Sequence, residues 1–138
     1  MAALTLDQIK VGDSYSETVE FTGERMARFI QLTGDTAGVH ISQLYSRAKG
    51  FQDRVVFGFL LSLNFSRILG MELPGENAVI GSIELHFHEP VYVGDTVAYT
   101  ATVQRVVRPL GAVLLALRIA KADGTLCVDG KTTCAFKQ

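Results

Sequence analysis

Asp35 and His40 stand five residues apart in the run Leu32-Thr33-Gly34-Asp35-Thr36-Ala37-Gly38-Val39-His40. A carboxylate and an imidazole on one short loop can share a water molecule and move its proton, a step typically worth about 10²–10⁴-fold in rate. Thr, Asp and Gly cluster here between two apolar segments, so the backbone is predicted to leave a helix at Thr33-Gly34. Reactive groups are commonly carried on such a loop, held by a rigid scaffold. A second set of small residues, Gly58, Ser62 and Ser66, falls at i, i+4 and i+8 along a strongly apolar stretch. That ridge has two readings: close packing against a sheet with the hydroxyls bonded back to helix carbonyls, or one edge of a ligand tunnel.

The elements that must position these groups follow from periodicity. Val11-Gly12-Asp13-Ser14 is a turn, and Tyr15 to Phe21 alternates like a strand. Thr22 is a good N-cap for a helix over Glu24 to Leu32, with Met26, Ala27, Phe29 and Ile30 at helical spacing. Ile41 to Phe51 reads as a short surface helix. Gln52-Asp53-Arg54 connects it to an extended Val55-Val56-Phe57. Gly58 to Leu69 carries so many apolar side chains that the helix is expected to be buried nearly all round, with Gly70 as its stop. From Ile80 the period becomes two: Ile83, Leu85 and Phe87 alternate with Glu84, His86 and His88. Pro90 and Val93-Gly94-Asp95-Thr96 end that unit. Val97 to Val103, Val113 to Ile119 and Leu126 to Phe136 supply three more strands, the last two joined at Ala122-Asp123-Gly124. Asp13 and Asp95 are turn residues. One apolar helix followed by an antiparallel meander points to an α+β domain, a sheet wrapped round a central helix, with no linker dividing residues 1–138.

Composition narrows the function classes. A chain of 138 residues is long enough to bury a core without disulfide or metal staples. A formal net charge of −1 leaves no basic excess to neutralise phosphates, so a nucleic-acid partner is not expected. The two cysteines, Cys127 and Cys134, lack zinc-type spacing, and their odd separation in one strand disfavours pairing; they are expected to be small buried groups in a reducing compartment. His86, His88 and Glu84 at i, i+2 spacing are read as the solvent or interface side of an alternating strand, with no metal. Met1 to Lys10 has neither a basic start nor an apolar run, and no uncharged stretch is long enough to cross a membrane, so a cytoplasmic protein is expected.

Three blocks resemble the MaoC-like (R)-specific enoyl-CoA hydratases, which have the hotdog fold. The run from Leu32 to His40 is similar to that family's signature loop. Phe57-Gly58-Phe59-Leu60-Leu61 resembles its His-Gly-Met start of the central helix, and Ser82 to Thr96 resembles its strand ending in a proline and a Val-Gly-Asp turn. The resemblance implies a homodimer or higher oligomer. It also implies water addition across a trans-2-enoyl thioester to give an (R)-3-hydroxyacyl thioester, or the reverse. Asp35 and His40 take the catalytic positions, Gly58 the donor to the thioester carbonyl, and Ser66, with Ser62, a supporting position; Phe57, Phe59 and Gly38 are expected in the substrate pocket. Coenzyme A or a carrier protein's phosphopantetheine enters as part of the substrate, and no separate cofactor is implied. Chemistry agrees with these roles. A helix N-terminus has free N–H groups and favours developing negative charge, and glycine there allows close approach.

Ala37, Gly38 and Phe57 depart from the family pattern of asparagine, proline and histidine. They change the pocket wall and leave the Asp35, His40 and Gly58 set intact, which points to a shifted substrate, an unusual or biosynthetic acyl group. Two other functions fit the same fold: a thioesterase, and an acyl-thioester-binding subunit without turnover. Arg47, Lys49 and Arg54, between the loop and Gly58, are candidates to meet coenzyme A phosphates or an acyl carrier protein's acidic helix.

Overall fold

A computed structural model describes residues 3–137; of the domain expected over 1–138, Met1, Ala2 and Gln138 lie outside the described residues. The chain runs β1 (Ser14–Glu20), α1 (Gly23–Thr33), α2 (Gly38–Ile41), α3 (Gln43–Ala48), α4 (Gly58–Met71), β2 (Ala78–Phe87), β3 (Thr96–Val107), β4 (Ala112–Lys121) and β5 (Leu126–Phe136). The strands form one antiparallel sheet in the order β1-β3-β4-β5-β2. This is the α+β hotdog architecture, with the sheet curled over α4.

Alternation sets the core. Val97, Tyr99, Ala101 and Val103 of β3 and Val113, Leu115, Leu117 and Ile119 of β4 are all 2% exposed or less, and they face Leu61, Phe65, Ile68 and Leu69 of α4. Each such large side chain contributes about 1.5–3 kcal/mol by leaving water. Tyr99 carries a hydroxyl into this core and donates it to the Leu61 carbonyl at 2.8 Å. Desolvation pushes that phenol's pKa above its ordinary range.

Several expectations need correction. α4 runs through Gly70 to Met71 and ends at Glu72, two residues before Pro74, where the restriction on the residue preceding proline stops the helix. Nor is α4 buried all round. Phe59 is 79% and Leu63 50% exposed, because the sheet covers only one flank of the helix. Cys127 and Cys134 are both free and both buried, as expected, but the opposite-face placement that an odd separation implies does not hold. A register shift between Ile119 and Ala120, opposite Val128 and Leu126, leaves Cys127 as the extra residue of a β-bulge and breaks the parity. Among the described residues no helix is long and apolar enough to cross a membrane.

Candidate active site

Three short elements deliver the polar groups. Thr22 caps α1 by accepting from the Arg25 N–H at 3.2 Å. The helix ends at Gly34, whose φ of 71° is the left-handed geometry that turns the chain out toward Asp35. Asp35 then closes a local turn: its N–H donates to Thr33 Oγ1 at 3.2 Å, and its Oδ1 accepts from the Ala37 N–H at 3.0 Å. One carboxylate oxygen is thereby committed to the backbone, and among the described residues Oδ2 has no hydrogen-bond partner.

His40 is not on irregular loop, as its surroundings suggested. It sits in α2, a single helical turn headed by Gly38. Its Nδ1 is 2.6 Å from the Val55 carbonyl oxygen. A carbonyl only accepts, so Nδ1 is the donor to Val55, and in the neutral ring this leaves Nε2 as the nitrogen with the lone pair. The connector expected at Gln52-Asp53-Arg54 braces that carbonyl. Arg54 Nε donates to the His40 carbonyl at 2.9 Å, the Val55 N–H donates to Val39 at 2.9 Å, and buried Ser46 donates its hydroxyl to the Asp53 carbonyl at 2.6 Å. The Arg54 N–H, bonded to Asp53 Oδ1, holds the Asp53 carboxyl below its ordinary range.

α4 opens at Gly58, behind an N-cap, Phe57, that makes no side-chain cap bond. The first N–H groups of a helix have no intrahelical partner, so a donor is presented where the chain enters the helix. A cavity of about 590 Å³ brings Asp35, His40 and Gly58 together; Phe57, Phe59, Ser62 and Ser66 also line it. Its remaining wall is apolar: Phe29, Leu63, Ile80, Ile83, Leu85 and Phe87. Of the ridge serines, Ser62 donates back to the Gly58 carbonyl at 2.9 Å, which fits both readings of the ridge at once.

Gly38 is not in this lining. A Cβ there would meet the Tyr45 ring at 2.7 Å, so its place is beneath that ring at the start of α2. The residues that sequence reasoning missed are Val55, whose contribution is a backbone carbonyl, and the β2 side chains. The alternation of Ile83, Leu85 and Phe87 marked an inward face without showing that the face borders a cavity. On the other parity, His86 and His88 meet separate carboxylates, Glu84 at 3.3 Å and Asp129 at 2.8 Å. The bond from His88 holds the Asp129 carboxyl below its ordinary range. Arg54, half-buried, and Arg47, exposed, donate to the backbone carbonyls of His40 and Gln52, and Lys49 lies over the Tyr45 ring.

Comparison with known proteins gives a consistent set of relatives. Residues 8–112 match the family described as MaoC like domain. An (R)-specific enoyl-CoA hydratase of Rhodospirillum rubrum is 31% identical over 92% of this chain and 88% of its own length. A mitochondrial 3-hydroxyacyl-(acyl-carrier-protein) dehydratase of Arabidopsis thaliana is 38% identical over 64% of this chain, which spans only about half of that protein, 52%. The solved structure of the (R)-hydratase from A. caviae involved in PHA biosynthesis superposes with a TM-score of 0.89 at 28% identity, covering 94% of this chain and 98% of that one.

Proposed function

Since this chain belongs to the MaoC-like domain family, we propose that it is a lyase interconverting a trans-2-enoyl thioester and an (R)-3-hydroxyacyl thioester by addition or loss of water. The observation that carries this reading is one cavity lined by a carboxylate, an imidazole with a free Nε2 and a helix N-terminus. In the hydration direction, Asp35 Oδ2 and His40 Nε2 hold one water between them. Nε2 accepts its proton as the oxygen bonds to C3. Electron density moves through C2 to the thioester oxygen, where the Gly58 N–H receives it; one donor of this kind is typically worth on the order of 10²–10³ in rate. The pair then returns a proton to C2. Every atom comes from water and the enoyl thioester, so the reaction requires no cofactor beyond the coenzyme A or phosphopantetheine already in the substrate.

The apolar wall fits a hydrocarbon acyl group, and the relatives' names supply both coenzyme A and a carrier protein as thiol carriers. β2 forms one edge of the sheet, and beside it Phe59, Leu63, Ile83 and Phe87 are each at least 43% exposed. An unpaired strand edge next to an apolar flank supports a homodimer that covers both.

Crotonyl-CoA tests the reaction. The expected result is loss of the enoyl absorbance with no free thiol and (R)-3-hydroxybutyryl-CoA as product. Thiol release identifies a thioesterase, and ligand binding with no turnover a binding subunit; either result overturns the proposal.

A further inference from the structure

The imidazole of His40 is fixed at one point by its Nδ1 bond to Val55, and a single hydrogen bond leaves a ring plane free to swing about it. The plane is held by something else. The Phe57 ring stacks on the His40 ring with centroids 4.1 Å apart and planes 28° from parallel. On its other side Phe57 meets Phe29, at 4.5 Å and 40°. Phe29 and Phe57 are 7% and 2% exposed, so the end ring Phe29 and the middle ring Phe57 are anchored in the core, and only His40, at the other end, reaches the cavity with a polar edge.

The column also ties together the three elements that carry the site. Phe29 belongs to α1, which delivers Asp35; His40 belongs to α2; Phe57 is the residue before Gly58 and sets the start of α4. A shift of the Phe57 side chain therefore moves the base relative to the carbonyl donor, while the cavity's apolar wall on β2 stays in place. Misplacing a reacting group by about 1 Å can cost on the order of 10²-fold in rate.

We infer that Phe57 is a positioning residue: its ring face orients the His40 imidazole so that Nε2 addresses the water, and it contributes little to holding the substrate. This rests on the hydration reading above. The effect belongs in kcat, because binding of the thioester draws on the other walls of the cavity.

The test compares wild type, Phe57→Leu and Phe57→Tyr in three measurements: crotonyl-CoA hydration, binding of butyryl-CoA (its unreactive saturated counterpart), and heteronuclear NMR of the imidazoles. Phe57→Leu is expected to lower kcat by about 10-fold while the butyryl-CoA Kd stays within about twofold; Phe57→Tyr, which keeps the ring face, recovers most of the rate. If Phe57→Leu does not fold, Phe57→Met serves the same comparison. Retention of kcat in Phe57→Leu, or parallel loss of kcat and affinity as expected of a simple wall, overturns the inference. If wild type hydrates no enoyl thioester, the functional reading fails, and NMR alone decides the positioning. Broadened or doubled His40 ring signals in Phe57→Leu support it; a single sharp orientation in both proteins contradicts it.

Discussion

His40 Nδ1 and the Val55 carbonyl oxygen, fifteen residues apart in the chain, meet at 2.6 Å. The bond fixes which ring nitrogen carries the hydrogen, and its acceptor is a backbone atom that no side-chain substitution removes. What surrounds that bond is open to mutation, and the following outcomes are expected.

Gly58→Ala separates fold from function. The added Cβ lies 3.2 Å from the Phe87 ring, whose side chain is 54% exposed and can yield. Alanine also suits a helix better than glycine. The variant therefore keeps its Tm within a few degrees but crowds the approach to the Gly58 N–H, lowering kcat/KM by about 10²-fold. Steady-state kinetics beside a thermal melt checks both halves.

Gly38→Ala acts on structure first. Its Cβ would stand 2.7 Å from the Tyr45 ring, which must move off α2. Overpacking of this kind costs about 1–3 kcal/mol. Because α2 carries His40, chemical denaturation should show lost stability together with reduced kcat. A second substitution, Tyr45→Ala, removes the clash and restores part of both.

Tyr99 gives the fold a dependence on alkaline pH. Burial raises its folded pKa above the ordinary value of about 10, so the folded state keeps the proton that the unfolded state gives up. Its contribution is fully present below pH ~10 and is lost as pH rises beyond that. Phe in its place removes this part of the slope and, through loss of the bond to Leu61, costs about 1 kcal/mol at neutral pH. Denaturation curves of both proteins across that pH range check the sign.

Both cysteines should be inert in the native protein. Cys127 and Cys134 are each 1% exposed, and burial, the largest cause in both, raises their thiol pKa. A thiol reagent at mildly alkaline pH should label neither until denaturant is added; rapid labelling of the folded chain would contradict the buried bulge at Cys127.

Most of the architecture was legible because its signals are local. Period-two alternation marked β3, β4 and β5. Thr22 and Gly34 marked the ends of α1. The small-residue ridge on α4 was visible, but its spacing left open packing against the sheet or a cavity edge, and the structure puts it in the cavity lining. Asp35, His40 and Gly58 were named as a set through the resemblance of three blocks to the MaoC-like hydratases, and the cavity is lined by all three. What escaped has no sequence signature of its own. Val55 acts through a carbonyl, and any residue there looks the same. The bulge that buries Cys127 is decided by pairing with β4. Gly38 was placed in the pocket from its neighbours, whereas its small size answers to Tyr45. The exposure of Phe59 and Leu63 depends on which flank of α4 the sheet reaches, and a hydrophobic count along the helix does not contain that.

The central claim is that Asp35 and His40 act on one water as a unit. The most direct test is kcat for wild type, Asp35→Asn, His40→Asn and the double variant. Asparagine at position 35 keeps an oxygen for the Ala37 N–H, and at position 40 its amide nitrogen keeps a donor for Val55 while Nε2 is lost. Each single substitution is expected to lower kcat by about 10²–10⁴-fold, and the double variant to fall no further than the worse single, because either loss already disables the shared water. If the two losses instead multiply, or if either single variant keeps nearly full activity, the pair does not share that water.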